Sequence, residues 1–213
     1  MATGTSRPTT FLRCQEQWHY LIGGASRSGK STLASLLKRE VGGTVVWGDA
    51  LVTAFSSAVR DAKIPNEAAE PFKASFFSSL ICHYARSLSR AEDGPIIVEG
   101  IGLKPESIDR TLLRQARFRC VFLGYPYVSV AQKITQIRRH AADDPLCWSH
   151  KTSDLRLREI VQAGIEDSLE TRLKCFKLGL PFFDTGKDFD AAIKAACDRL
   201  LKQANDNRLG QIT

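Results

Sequence analysis

No apolar run in this 213-residue chain approaches the roughly 20 residues that a membrane-spanning helix needs. The six cysteines, at 14, 82, 120, 147, 175 and 197, include no CxxC pair. The four histidines, at 19, 83, 140 and 150, include no HxxxH pair, and nothing near Cys147 and His150 completes a ligand set. A structural zinc site is therefore not expected, and the thiols suit a reducing, cytoplasmic setting. Long Lys/Arg runs and interleaved aromatic stripes are also missing, so nucleic acid ranks last among partners. The leader MATGTSRPTTFLRCQEQ lacks the apolar core of a secretory signal. A frayed N-terminus over 1–17 is expected rather than a transit peptide, and a loose tail over 204–213. The chain shows no internal repeat and no linker.

What is present is ordinary for a soluble globular domain: 43% hydrophobic and 25% charged residues, in a length that suits one domain. Lys and Arg number 30 against 23 Asp and Glu, a net charge of +7. Such a charge suits a solvated basic surface or an anionic ligand such as a nucleotide.

Short apolar runs alternate with helical periodicity. Strands are expected at 18–25 (WHYLIGGA), 44–49 (TVVWGD), 94–100 (GPIIVEG), within 117–126 (RFRCVFLGYP) and at 180–186 (LPFFDTG). Helices are expected at 29–41, at 105–115, at 129–141, at 154–178 and at 187–203, with two more inside 50–92. In the second of those two, Phe72, Phe76, Leu80, Tyr84 and Leu88 recur at helical spacing as a core stripe. Leu157, Val161, Ile165, Leu169, Leu173 and Phe176 are the expected stripe of the long helix, which Gly179 and Pro181 end. The alternation predicts an α/β fold: a five-stranded parallel sheet with both faces covered, in three α/β/α layers. Ligands in such sheets bind beyond the carboxyl ends of the strands.

The first of those ends carries GGASRSGKST. Gly24-Ala25-Ser26-Arg27-Ser28-Gly29-Lys30-Ser31 fits G-x-x-x-x-G-K-[ST], between an expected strand and an expected helix. The glycines let successive backbone N–H groups turn inward onto phosphate oxygens, and the helix start adds its positive dipole end. Lys30 should reach the β and γ phosphates, Ser31 should place its hydroxyl on Mg²⁺, and Thr32 completes the binding segment in a structural role. The expected ligand is a nucleoside triphosphate, ATP, with Mg²⁺.

On GGASRSGKST, WGDAL (47–51) and IVEG (97–100), the chain resembles the P-loop kinases of nucleotides and small metabolites, across about residues 18–203. That group includes nucleoside monophosphate kinases, shikimate and gluconate kinases, chloramphenicol phosphotransferase and zeta-type toxins. The resemblance implies the P-loop NTPase sheet order 2-3-1-4-5, with an acceptor-binding insertion between strands 2 and 3 and a lid between strands 4 and 5. The helical 50–92 segment and residues 129–153 stand in those places.

In several metabolite kinases that resemble this chain, an Asp at the position of Asp49 faces the acceptor hydroxyl. A carboxylate there can orient the hydroxyl and accept its proton; Asp49 is also good helix N-cap chemistry, and both roles can hold. Glu99 ends strand 3, where relatives often place an Asp. It can hold a Mg²⁺-bound water, or it can bond nearby backbone N–H groups. Arg138 and Arg139 stand where related kinases carry lid arginines that neutralise the moving phosphoryl group. Alternatively they are two cations at a helix C-terminus, where the dipole favours them. Lys133 and Lys151 are weaker lid candidates, and Trp148 is a lid anchor or packing. Asp184-Thr185-Gly186 corresponds to the loop that lies against the base in the family. Arg60, Lys73 and Lys104 are cations near the expected acceptor pocket.

The leading expectation is thus an ATP- and Mg²⁺-dependent kinase acting on a small-molecule acceptor: a nucleoside, nucleotide or other metabolite. A GTPase-like switch would want DxxG and NKxD, and a transporter ATPase the LSGGQ signature; none occurs. A nucleotide-binding ATPase or regulatory module without transfer is the alternative that Glu99 keeps open.

Overall fold

The structure, a computed structural model, describes residues 18–58, 70–91, 94–108, 113, 117–142 and 148–206. The expected loose ends at 1–17 and 207–213, the 59–69 connection with Arg60, residues 143–147 and most of the expected 105–115 helix lie outside the described residues, as do the side chains of Lys73 and Trp148.

Five strands form one parallel sheet: β1 (His19–Gly24), β2 (Thr44–Trp47), β3 (Ile96–Glu99), β4 (Phe118–Gly124) and β5 (Phe182–Asp184). Their order is β2-β3-β1-β4-β5. This is the P-loop α/β/α arrangement. β1 is the central strand, flanked by β3 and β4, and every residue of the three is buried. The strand period of two sends alternate residues to opposite faces. Leu21, Ile96, Val98, Phe118 and Phe122 join one core cluster. Tyr20, Ile22, Ile97, Val121 and Leu123 join the other. The first layer is closed by α3 (Glu70–Ala91) and α5 (Asp154–Leu178), through Ile81, Ala85 and Cys175. The second is closed by α1 (Lys30–Val41) and α6 (Phe189–Asp206), through Leu33, Leu37, Ile193 and Leu200. The remaining helices are α2 (Gly48–Ala58) and α4 (Val130–Ala142), with 3-10 turns at Pro105–Ser107 and Trp148–Lys151. Among the described residues, no helix is long and apolar enough to cross a membrane.

Two expectations need correction. Strand 2 stops at Trp47, and the helix begins at Gly48, so Asp49 sits in a first helical turn rather than on a strand end. In α5 the expected apolar stripe does not stay inside. Leu157 and Val161 are buried, but Leu173 is 56% and Phe176 86% exposed. Steps of four residues drift by about 40° per step on a helix of 3.6 residues per turn. The buried seam instead runs Leu157, Val161, Gly164, Ser168, Thr171, Cys175. Its small members fit a close approach: a Cβ on Gly124 would stand 2.9 Å from Ser168.

Candidate active site

β1 hands the chain to α1 through a five-residue turn. Gly24 leaves the sheet beside β4, where a Cβ would stand 2.0 Å from the Leu123 carbonyl oxygen; its φ is 129°. Gly29 precedes α1 in the left-handed region, φ 96° and ψ 17°. Arg27, with φ 62°, takes the same region despite its Cβ. The turn thereby wraps the start of α1, whose first N–H groups lack helical partners.

Lys30 is the first residue of α1 and is buried. Its ammonium donates to the carbonyl of Ala25 at 2.9 Å, across the mouth of the loop. Burial lowers its pKa, while the Glu99, Asp49 and Asp167 carboxylates act to raise it. Ser31 donates its hydroxyl to Glu99 Oε1 at 3.2 Å. Glu99 is buried, and its Oε2 has no hydrogen-bond partner. Burial raises its pKa; Lys30 opposes that shift and Asp49 adds to it. Asp49 Oδ1 accepts the Ile101 N–H at 2.8 Å, tying the start of α2 to the loop after β3. The parallel register sets Trp47 beside Glu99, which brings the ends of β2 and β3 together.

These groups share one cleft of about 990 Å³. Ser26, Arg27, Gly29, Lys30, Ser31 and Thr32 line it, with Asp49 and Glu99. Gly24, Ala25 and Ser28 are buried behind that lining, so their contribution is to the loop's shape. α4 adds Lys133, Gln136, Arg139 and His140 to the lining, and the start of α6 adds Phe189.

The two adjacent arginines of α4 part company. Arg139 faces the cleft. Arg138 turns to the 3-10 turn at 148–151, donating to the Ser149 carbonyl at 2.7 Å, the Thr152 carbonyl at 3.3 Å and Asp154 Oδ1 at 2.8 Å. Lys133 lies in the cleft wall with its ammonium 4.2 Å from the Tyr125 ring centroid. Burial brings its pKa down to about 8. Lys151 is exposed and does not line the cleft. Lys104 is paired with Asp167 at 2.6 Å rather than open to an acceptor. Asp184 is spent on its own loop, accepting the Gly186 N–H at 2.8 Å, and Gln136 reaches the Gly186 carbonyl at 3.0 Å.

Sequence reasoning missed Tyr125, Gln136, His140 and Phe189. The first two work through the backbone of distant loops, and local spacing carries no trace of that. His140 adjoins the arginine pair and was within reach of the same argument.

The donors beside Lys30 fit a divalent magnesium ion. Ser31 Oγ and Glu99 are hard oxygen ligands, and the unpartnered Glu99 Oε2 is a buried acceptor without a donor.

Solved structures share this architecture. A gluconokinase from Sinorhizobium meliloti 1021 aligns with a TM-score of 0.55 at 16% identity, over 91% of this chain and 97% of that one. A sugar kinase from Janibacter sp. HTCC2649 aligns at 0.51 with 17% identity, over 87% and 95%. A shikimate kinase from Acinetobacter baumannii, in complex with shikimate, aligns at 0.50 with 13% identity, over 92% and 97%. At such identities the likeness is one of fold. No protein-family model matches the chain, and no curated protein matches it.

Proposed function

We propose that this chain is a kinase that uses ATP and Mg²⁺ to phosphorylate a hydroxyl of a small-molecule acceptor: a nucleoside, nucleotide or other metabolite. The observation that carries the proposal is the convergence of Lys30, Ser31, Asp49 and Glu99 on one cleft under a complete phosphate loop. A nucleotide-binding loop alone needs no carboxylate beyond the metal site. Asp49 is a second one, two residues past the strand end that pairs with Glu99.

The roles follow from position. Backbone N–H groups of the residues of the 24–31 turn that line the cleft hold the β and γ phosphates, and the Lys30 ammonium moves from the Ala25 carbonyl onto them. Ser31 and Glu99 would hold the Mg²⁺, which when bound neutralises charge on the phosphate oxygens. Asp49 orients the acceptor hydroxyl and takes its proton as that oxygen bonds to the γ-phosphorus. The bond from phosphorus to the β,γ-bridging oxygen breaks, and ADP leaves with that oxygen. Arg139, which lines the same cleft, supplies positive charge to the moving phosphoryl group. Closure of α4 and the 148–151 turn over the cleft excludes water that would otherwise hydrolyse ATP. The buried thiols of Cys82, Cys120, Cys175 and Cys197 suit a cytoplasmic setting.

ADP release with Mg-ATP, measured with and without pools of hydroxylated metabolites, tests the proposal. Turnover that depends on one acceptor is the expected result. Release of the same rate in every pool, or nucleotide binding with no release, contradicts it.

A further inference from the structure

Tyr125 follows β4 directly, is fully buried, and has no part in the chemistry above. Its phenol donates to the carbonyl of Ser26 at 2.7 Å, inside the phosphate loop. Its own N–H donates to Ser168 Oγ at 3.0 Å, and that hydroxyl donates to the Gly164 carbonyl at 2.6 Å. A Cβ on Gly164 would stand 1.9 Å from the phenol oxygen, so the phenol sits where only glycine admits it. The Lys133 ammonium lies 4.2 Å from the ring centroid. The ring is thus fixed by α5 and α4, and its one polar atom is spent on the loop. Burial holds the phenol's pKa far above the ordinary value, so the hydroxyl keeps its proton and remains a donor.

We infer that Tyr125 is a positioning residue that aims one phosphate-loop amide, the N–H of Arg27, at the phosphate. A trans peptide is planar, with its carbonyl and its N–H pointing opposite ways. The Ser26 carbonyl is drawn back toward buried Tyr125. The N–H across the same peptide therefore turns the other way, to the cleft that Ser26 and Arg27 line. Arg27 is left-handed at φ 62°, the conformation that completes an anion-binding nest of successive N–H groups. A residue with a Cβ adopts this region uncommonly. The hydrogen bond to Tyr125 holds the peptide in that orientation before any ligand arrives, which is pre-organisation of the anion site.

The inference rests on reading the 24–31 loop as a phosphate site, so its test uses the phosphate group alone. Pyrophosphate binding to the full chain is measured for wild type and Tyr125→Phe, with the ¹⁵N–¹H resonance of Arg27 followed through each titration. The phenylalanine keeps the ring against Gly164 and under Lys133. Wild type should bind pyrophosphate with a large shift of the Arg27 amide. In Tyr125→Phe the dissociation constant should rise about tenfold, the scale of one lost hydrogen bond. The Arg27 shift should shrink, and the melting temperature should stay near that of wild type. Gly164→Ala, which pushes the phenol off its seat, should reproduce the loss. Equal affinity and an equal Arg27 shift in Tyr125→Phe would overturn the inference. So would weakened binding in Tyr125→Phe that tracks a lowered melting temperature, since that is a packing role. A wild type that binds no pyrophosphate would overturn the phosphate reading and this inference with it.

Discussion

The Ser31 hydroxyl and the Glu99 carboxylate meet at 3.2 Å, joining the first turn of α1 to the end of β3. The second oxygen of Glu99 is buried without a partner. A buried oxygen without a partner costs the fold stability. Burial is the largest influence on Glu99 and raises its pKa. A raised folded-state pKa means that the group's stability contribution is present below the unfolded value near 4.5 and is lost as pH rises through the folded value. At neutral pH, Glu99→Gln should therefore raise the melting temperature of the ligand-free protein. It should also lower phosphoryl transfer by roughly 10²-fold or more. A lower melting temperature together with unimpaired transfer would show that Glu99 is a structural carboxylate only.

Asp49 is anchored as well as placed, because it accepts the Ile101 N–H at 2.8 Å. Asn at this position keeps an oxygen for that N–H and loses the basicity. Asp49→Asn should retain the melting temperature and the affinity for ATP while transfer falls by roughly 10²–10⁴. Asp49→Ala should lose transfer and stability together, because Ile101 loses its acceptor. Full transfer by Asp49→Asn would reduce Asp49 to a loop anchor.

The adjacent arginines of α4 give a contrast that one assay pair resolves. Arg139→Ala should lower the transfer rate with little effect on melting, as the side chain faces the cleft. Arg138→Ala should act on structure first. It removes donors to Ser149, Thr152 and Asp154, so protease sensitivity around 148–154 should rise. Asp154 is 84% exposed, so the ion pair itself adds little, and the carbonyl bonds set the effect. Equal loss of transfer in both variants, with unchanged protease sensitivity, would contradict this division.

Much of this was legible from residues alone, for identifiable reasons. β3 reads as a continuous apolar run, Ile96 to Val98, because both faces of the sheet are covered there. The Gly24–Ser31 loop declares itself because phosphate binding demands a fixed spacing of backbone-permissive residues. Adjacent helical residues stand about 100° apart, so helix geometry alone says that the two arginines face different ways. Which one faces the cleft was not legible: it depends on where the 148–151 turn places its carbonyls. The α5 stripe misled because counting by fours follows the helix surface past the contact line. The real seam contains Gly164, Ser168 and Thr171, residues chosen for closeness rather than apolarity. Tyr125 was invisible because its partner, Ser26, is 99 residues away and is met through a backbone carbonyl.

His19 adds a pH dependence away from the cleft. Its Nδ1 accepts the Ile96 N–H at 3.2 Å, which requires the neutral ring. Burial, with Arg117 adding to it, lowers its pKa below 6.5. Between the folded value and 6.5 the unfolded chain binds more protons, so stability falls as pH falls through that window. His19→Phe should be less stable at pH 7, by about 1–3 kcal/mol for the orphaned Ile96 N–H. Its melting temperature should change less than that of wild type as pH falls below 6.5. An unchanged slope in the variant would assign the pH dependence to other groups.

The destination of the γ-phosphate is the most direct test of the account. ³¹P NMR of the protein with Mg-ATP and the acceptor found by ADP release should show the γ signal replaced by one phosphomonoester resonance, in step with ADP. Lys30→Ala should slow that conversion by roughly 10²–10⁴ without unfolding the protein. Conversion of the γ signal to inorganic phosphate alone, at the same rate with and without any acceptor, would contradict a kinase and leave an ATPase.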